Sequence, residues 1–106
     1  MPIQKAKFSI GDIVKHKHFE FRGVIYDVDF EFNNSEEWYQ SIPEDVRPRK
    51  DQPFYHLLAE SNDVTYEAYV SEQNLLIDNS KIPVKHPLID EIFSGKKGSS
   101  YFKPSN

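Results

Sequence analysis

Cysteine is absent from the 106-residue chain. That single absence excludes a disulfide scaffold, a thiolate zinc site, an iron–sulfur cluster and a cysteine nucleophile. Glycine is scarce, with four residues, while charged residues reach 28%, so neither a low-complexity nor a disordered composition fits. No stretch approaches the ~18 apolar residues of a membrane span, and Met1-Pro2-Ile3-Gln4-Lys5-Ala6-Lys7 contains no apolar run of signal-peptide length. A cytoplasmic protein without a membrane partner is expected. A strongly basic balance is missing too. The net charge is −4, which argues against a general nucleic-acid binder with one continuous basic face.

The charge is laid out in blocks. Asp27, Asp29, Glu31, Glu36, Glu37, Glu44 and Asp45 make residues 26–46 strongly acidic, and Arg47, Arg49 and Lys50 follow at once. Aromatic residues are plentiful at 14%, with six Tyr, eight Phe and one Trp, so a core built on rings is expected from a chain with room for one domain.

Four stretches read as strands. Residues 8–16 hold a turn at Gly11-Asp12 and then a short β-branched run. In residues 23–32 the even positions Val24, Tyr26, Val28, Phe30 and Phe32 are apolar, while Asp27, Asp29 and Glu31 stand between them; period two of this kind predicts a half-buried strand. Residues 54–60 are mostly apolar, as in a central strand covered on both faces. Ser61-Asn62-Asp63 then predicts a hairpin turn into a fourth strand over 64–71. The best local helix is 35–40, capped by Asn34 or Ser35 and ended by Pro43. It lies in the connection 33–53, whose length of about twenty residues marks a functional loop or a disordered one; Trp38, Tyr39 and Ile42 should fold it back onto the body. After Leu76 the chain reads as a strap with Pro83, Pro87 and a helical turn at 88–93. The segment 95–106, rich in Gly, Ser and Lys, reads as a flexible tail. These features predict an all-β fold: a small, strongly bent antiparallel SH3-like barrel with a long, partly helical loop and a C-terminal strap. One domain is expected over 1–106, with a core at about 7–93.

No constellation demands catalysis. Asp27 and Asp29 are spaced to present two carboxylates to one ligand or metal ion, but the solvated face of an amphipathic strand is the favoured reading. His16-Lys17-His18 would put two imidazoles on one face, with a third ligand needed from His56 or His86; ordinary surface histidines are preferred. The serines lack a nucleophile elbow and no glycine loop cradles phosphate. No enzyme, catalytic residue, metal or cofactor is therefore expected. The dense basic cluster Arg47-Pro48-Arg49-Lys50 sits among Trp38, Tyr39, Phe54 and Tyr55. Basic residues beside rings can grip phosphates and stack on bases; alternatively the cluster neutralises Glu44, Asp45 and Asp51, which is preferred. The tail pair Tyr101-Phe102 would offer a loose apolar handle to a protease or chaperone, but a simply disordered end is the preferred reading.

The chain resembles the HspQ family, also described as YccV-like or hemimethylated-DNA-binding. The residues that carry the resemblance are Phe8-Ser9-Ile10-Gly11-Asp12-Ile13-Val14-Lys15-His16 and Phe21-Arg22-Gly23-Val24-Ile25-Tyr26-Asp27-Val28-Asp29, then Glu37-Trp38-Tyr39 and Ile42-Pro43. Arg47-Pro48-Arg49-Lys50-Asp51-Gln52-Pro53-Phe54-Tyr55-His56-Leu57-Leu58, Tyr69-Val70-Ser71-Glu72-Gln73-Asn74-Leu75 and His86-Pro87 continue it. The resemblance implies a bent SH3-like barrel in a bacterial heat-shock and stress-response protein that self-associates, with a trimer expected. It implies two activities: binding to the Lon ATP-dependent protease with enhanced degradation of selected substrates, and preference for hemimethylated DNA. The first is the leading expectation and the second its alternative. Arg22, Trp38, Arg47, Arg49 and Lys50 are the candidate contacts for partner or DNA, with Lys15 added on DNA, and Tyr101 and Phe102 for engagement of the tail.

Overall fold

The structure is a computed structural model and describes residues 5–103. Five strands form one antiparallel sheet: β1 (Ile13–His16), β2 (Arg22–Asp29), β3 (Phe54–Ser61), β4 (Val64–Ser71) and β5 (Leu75–Ile77), in the order β4-β3-β2-β1-β5. Between β2 and β3 lies helix α1 (Glu36–Gln40), and after β5 come α2 (Ile89–Ile92) and a two-stranded sheet of β6 (Gly95–Lys97) and β7 (Ser100–Phe102). Strands β4 and β5 are the two sheet edges and no ladder joins them. The fold is mostly β, as expected, and no ladder closes the sheet into the bent barrel that was expected.

Local chemistry accounts for the elements. Ser35 caps α1, its Oγ accepting from Trp38 N at 3.0 Å, and the helix ends two residues short of Ile42-Pro43 because proline cannot continue it. The β3–β4 connection has two residues, Asn62 and Asp63, with φ of 49° and 66°. This doubly left-handed turn matches the twist of the strands it joins, and Asn and Asp tolerate it well.

Strand β3 is fully buried at Phe54, Tyr55, Leu57, Leu58 and Ala59, as a central strand covered on both faces must be. Alternation sends its side chains to two cores. Tyr55, Leu57 and Ala59 join Phe8, Val14, Ile25, Val70 and Leu75 on one face. Leu58 joins Ile13 and Val24 on the other, beneath Val84, Ile89, Phe93 and Tyr101 of the C-terminal segment.

The β2 register slips between Ile25 and Asp27, leaving Tyr26 as the extra residue of a bulge. Simple alternation over 23–32 therefore fails. Before the bulge, Val24 and Ile25 are both fully buried because each face of the strand meets a core, and the strand stops at Asp29, with Phe30 62% exposed. Past the bulge, Asp27 stands opposite His56.

The largest departure concerns the flexible tail expected over 95–106. Residues 95–102 form the β6–β7 hairpin, and it is fastened to the body; residues 104–106 lie outside the described ones. Tyr101 is 9% exposed and packs on Phe93, its hydroxyl accepting from Val84 N at 3.1 Å. Its backbone N–H donates to Gly11 O at 2.7 Å, and Ile13 N donates to Ser99 O. Gly11 has φ of 99°, and a Cβ there would meet Tyr101 O at 2.0 Å, so only glycine admits this approach. Tyr101 is thus a core residue and no loose handle, while Phe102 is half-exposed against Gly95. The composition of the segment is loose, but one ring of its aromatic pair is needed to complete the second core.

Replacing Tyr101 with Ala should cost about 3 kcal/mol of stability, as deletion of a large buried ring does. Urea unfolding with an unchanged slope checks it.

Candidate functional site

The basic cluster is largely consumed by the fold. Arg47 donates through Nε and Nη2 to Ile42 O at 3.2 and 2.9 Å and through Nη2 to Gln40 O at 3.2 Å, with its guanidinium over Tyr39. It satisfies carbonyls that the short helix α1 leaves open. Lys50 pairs with Glu36 and lies 4.5 Å from the Tyr39 ring centre and 5.5 Å from that of Phe32. The Lys50 ammonium and the Gln40 amide hold the Glu36 carboxyl below its ordinary range. Arg49 pairs with Asp51 at 2.9 Å, both side chains about three-quarters exposed. Of the acids expected to neutralise the cluster only Asp51 pairs with it; Glu36 takes Lys50, and Glu44 and Asp45 make no ion pair among the described residues.

Arg22 does not join this group. It sits opposite Glu60 at the far end of the β2–β3 ladder from Asp29 and Phe54, about 20 Å away at strand rise. Its Nε donates to Asp78 at 2.9 Å and Nη1 to Glu60 at 2.8 Å, and the guanidinium also donates to Pro83 O and Ile82 O. One planar donor set thereby ties β2, β3 and the strap together. Burial pushes the Asp78 carboxyl up, but Ser80 and Arg22 outweigh it and leave it below the ordinary range. Arg22, a candidate contact for partner or DNA, is committed to bonds within the chain and acts as a staple.

Trp38 lies where the loop folds back. Its ring stacks on Phe32 at 5.9 Å and meets Tyr69 edge-on at 5.3 Å, and Tyr69 in turn stacks on Phe54 at 5.2 Å. This ring cluster fastens the 33–53 connection over the end of the sheet. Between the loop and the sheet it leaves an apolar groove of about 400 Å³. Trp38, Ile42, Val46 and Pro48 form one wall, β4 from Glu67 to Ser71 forms the floor, and Phe19 and Phe21 close the far side. Ser71 is 2% exposed, and its Oγ has no hydrogen-bond partner among the described residues. Glu67 at the groove accepts from the Tyr26 hydroxyl at 2.6 Å; burial, then Glu67, pushes that phenol up to about 12.

The far wall depends on His16. Its Nδ1 accepts from the backbone N–H groups of His18 and Phe19 at 3.0 and 3.1 Å, which turns the β1–β2 connection, and its ring contacts those of Phe19 and Phe21. Two accepted bonds require an unprotonated Nδ1. The His16-Lys17-His18 pair gathers no third ligand among the described residues. The group that does come together is Asp27, Asp29 and His56, whose ligand atoms lie within 4.8 Å of one another. Asp29 Oδ2 is already engaged twice, by His56 Nε2 at 2.9 Å and by the Tyr69 hydroxyl at 2.8 Å; burial, then Asp29, pushes the Tyr69 phenol up. Asp29 is therefore a bonded partner under the ring cluster and not part of a solvated face.

A second, wider depression of about 660 Å³ lies by Arg22. Lys15, Lys17, His18 and Lys85 line it, and these three lysines make no ion pair among the described residues.

Sequence reasoning picked out Trp38 but missed Phe19, Phe21 and Ser71. Two phenylalanines flanking one glutamate just before β2 carry the available signal, while nothing local marks a buried serine at a strand end.

Burial, then the nearby His18, lowers the His16 pKa from its ordinary value of 6.5. A folded-state value below the unfolded one means that acid favours unfolding. Stability should therefore decline as pH falls through about 6.5, and His16→Gln should flatten that decline. Urea midpoints measured between pH 8 and pH 5 test this.

A model of the family described as "Hemimethylated DNA-binding protein YccV like" matches residues 6–100. The chain is also similar to F-box only protein 21 of Homo sapiens and of Pongo abelii, each 32% identical over 95 residues. The Mus musculus protein of that name is 30% identical over the same length. The match covers 89% of this chain but 15% of each relative. No solved structure matches. With nearly the whole described chain inside the family match, the protein belongs to the YccV-like family.

Proposed function

We propose that the domain is a non-enzymatic regulator that binds a partner protein through the groove beside β4 and enhances degradation of selected substrates by a Lon-type ATP-dependent protease. The observation that carries the reading is the contrast between the two candidate surfaces. The groove is apolar and open, whereas Arg47, Arg49 and Lys50 are paired within the chain. A concave apolar site with few polar groups is a binding site by default. The occurrence of the same stretch as 15% of longer proteins supports a module that serves larger assemblies. On this reading the sheet is an SH3-like barrel whose seam is left open as the groove. The protein works in the cytoplasm during stress as a homo-oligomer, a trimer being the form the resemblance implies, and it uses no cofactor.

The test is a reconstituted degradation assay. Ile42→Glu places a charge in the groove wall, where Ile42 is only half-buried, so the fold should survive and the thermal midpoint should move little. Stimulation of the protease should require roughly tenfold more of the variant, equivalent to about 1.4 kcal/mol. Full stimulation by a folded variant would overturn the reading.

A second reading, DNA binding, is favoured by the family's description and by the wider depression. Lys15, Lys17 and Lys85 would meet phosphates there, in place of the Arg47–Lys50 cluster. Affinity for a hemimethylated duplex should then fall with a log–log salt slope of about −0.9 per contact, and Lys15→Glu with Lys17→Glu should weaken it more than Arg49→Glu. A flat salt dependence removes this reading.

A further inference from the structure

Five consecutive residues of β4, 67–71, line the groove. Side chains on a strand alternate between faces, so a groove over one face meets every second residue. One that meets all five runs along the strand's edge. Among the described residues β4 is the terminal strand of the sheet, and its only ladder is with β3. The backbone N–H and C=O groups of residues 67–71 make no hydrogen bond beyond that ladder among the described residues. An unpaired strand edge is a template for another chain. The loop walls this one into a channel.

The charge around the channel narrows the occupant. No lysine or arginine lines the groove, and Glu67 stands on it. The loop that forms the near wall carries Glu37, Glu44 and Asp45, all exposed and without an ion pair among the described residues. A segment with basic flanks is complementary to this rim, and an acidic one is repelled.

We propose that the groove takes an extended segment of a partner protein, apolar at alternate positions and flanked by lysine or arginine, which pairs with β4 as an added strand. The proposal rests on the protein-binding reading above and specifies its partner chemistry. Alternate side chains of the added strand enter between Trp38, Ile42 and Phe19, and its backbone satisfies the β4 edge. The basic flanks face Glu37, Glu44 and Asp45.

The probe is a fluorescein-labelled ten-residue peptide alternating valine and threonine, with two lysines at each end, titrated into the full chain by fluorescence polarisation. Two derivatives carry N-methyl groups on the odd or the even backbone amides, and a third has glutamates in place of the lysines. Binding by the parent peptide, loss of at least tenfold in affinity for one N-methylated derivative only, and at least fivefold weaker binding of the glutamate form would support the proposal. Equal binding of the parent and both N-methylated derivatives would overturn strand addition, and equal binding of the lysine and glutamate forms would overturn the basic flanks. If the parent peptide fails to bind while Ile42→Glu still weakens protease stimulation about tenfold, this occupant is wrong and the protein-binding reading stands. If the peptide binds as proposed while Ile42→Glu leaves stimulation intact, the reading of protease regulation falls and the occupant stands.

Discussion

Burial of β3 on both faces is the constraint from which the rest follows. Tyr55, Leu57 and Ala59 point one way and Leu58 the other, all of them without exposed surface. An isolated sheet covers neither face, so the chain has to supply two covers. On one side Phe8 and Leu75 close over Tyr55, whose hydroxyl accepts from Phe8 N and donates to Glu72. Burial, then Glu72, pushes that phenol up, as befits a hydroxyl held as donor to a carboxylate. On the other side the cover comes from the C-terminal segment, and its last large piece is Tyr101. This is why a stretch composed of Gly, Ser and Lys is fastened down as a hairpin: the second core is incomplete without it.

The same economy explains the fate of the charges. Arg22, Arg47 and Lys50 look like a binding surface when read as a list of cations, yet each is placed where the backbone or a carboxylate needs a donor. Arg22 ties the β2–β3 ladder to the strap beyond β5, and Arg47 donates to the last carbonyl of α1 at Gln40 and to that of Ile42 just past its end. Two surfaces remain open after these assignments: the lysine-lined depression by Arg22 and the apolar groove beside an edge strand. The function proposed here is drawn from that remainder.

Much of the fold was legible. The period-two stretch over 64–71, the continuous apolar run of β3, the Asn62-Asp63 turn and the Ser35 cap are all local signals, and each appears where local chemistry puts it. The bulge at Tyr26 was not legible, because both Val24 and Ile25 are apolar and only pairing with β3 decides which residue is extra. Nor were the partners of Arg22, which lie 38 and 56 positions away, or the docking of the hairpin, where Ser100 reaches Asp12 across 88 positions. At the site, Trp38 was visible as a ring in a long loop. The far wall was not, since Phe19 and Phe21 acquire a role only when His16 turns their connection towards β4.

Hydrogen exchange across the whole chain, with and without the Lon-type protease, tests the central claim most directly. In the free protein the amides of β3 should exchange far more slowly than those along the outer edge of β4. Adding the protease should slow exchange at residues 67–71 and in the loop around Trp38 and Ile42. Protection confined to the face of Lys15, Lys17 and Lys85, with β4 unchanged, would contradict the account.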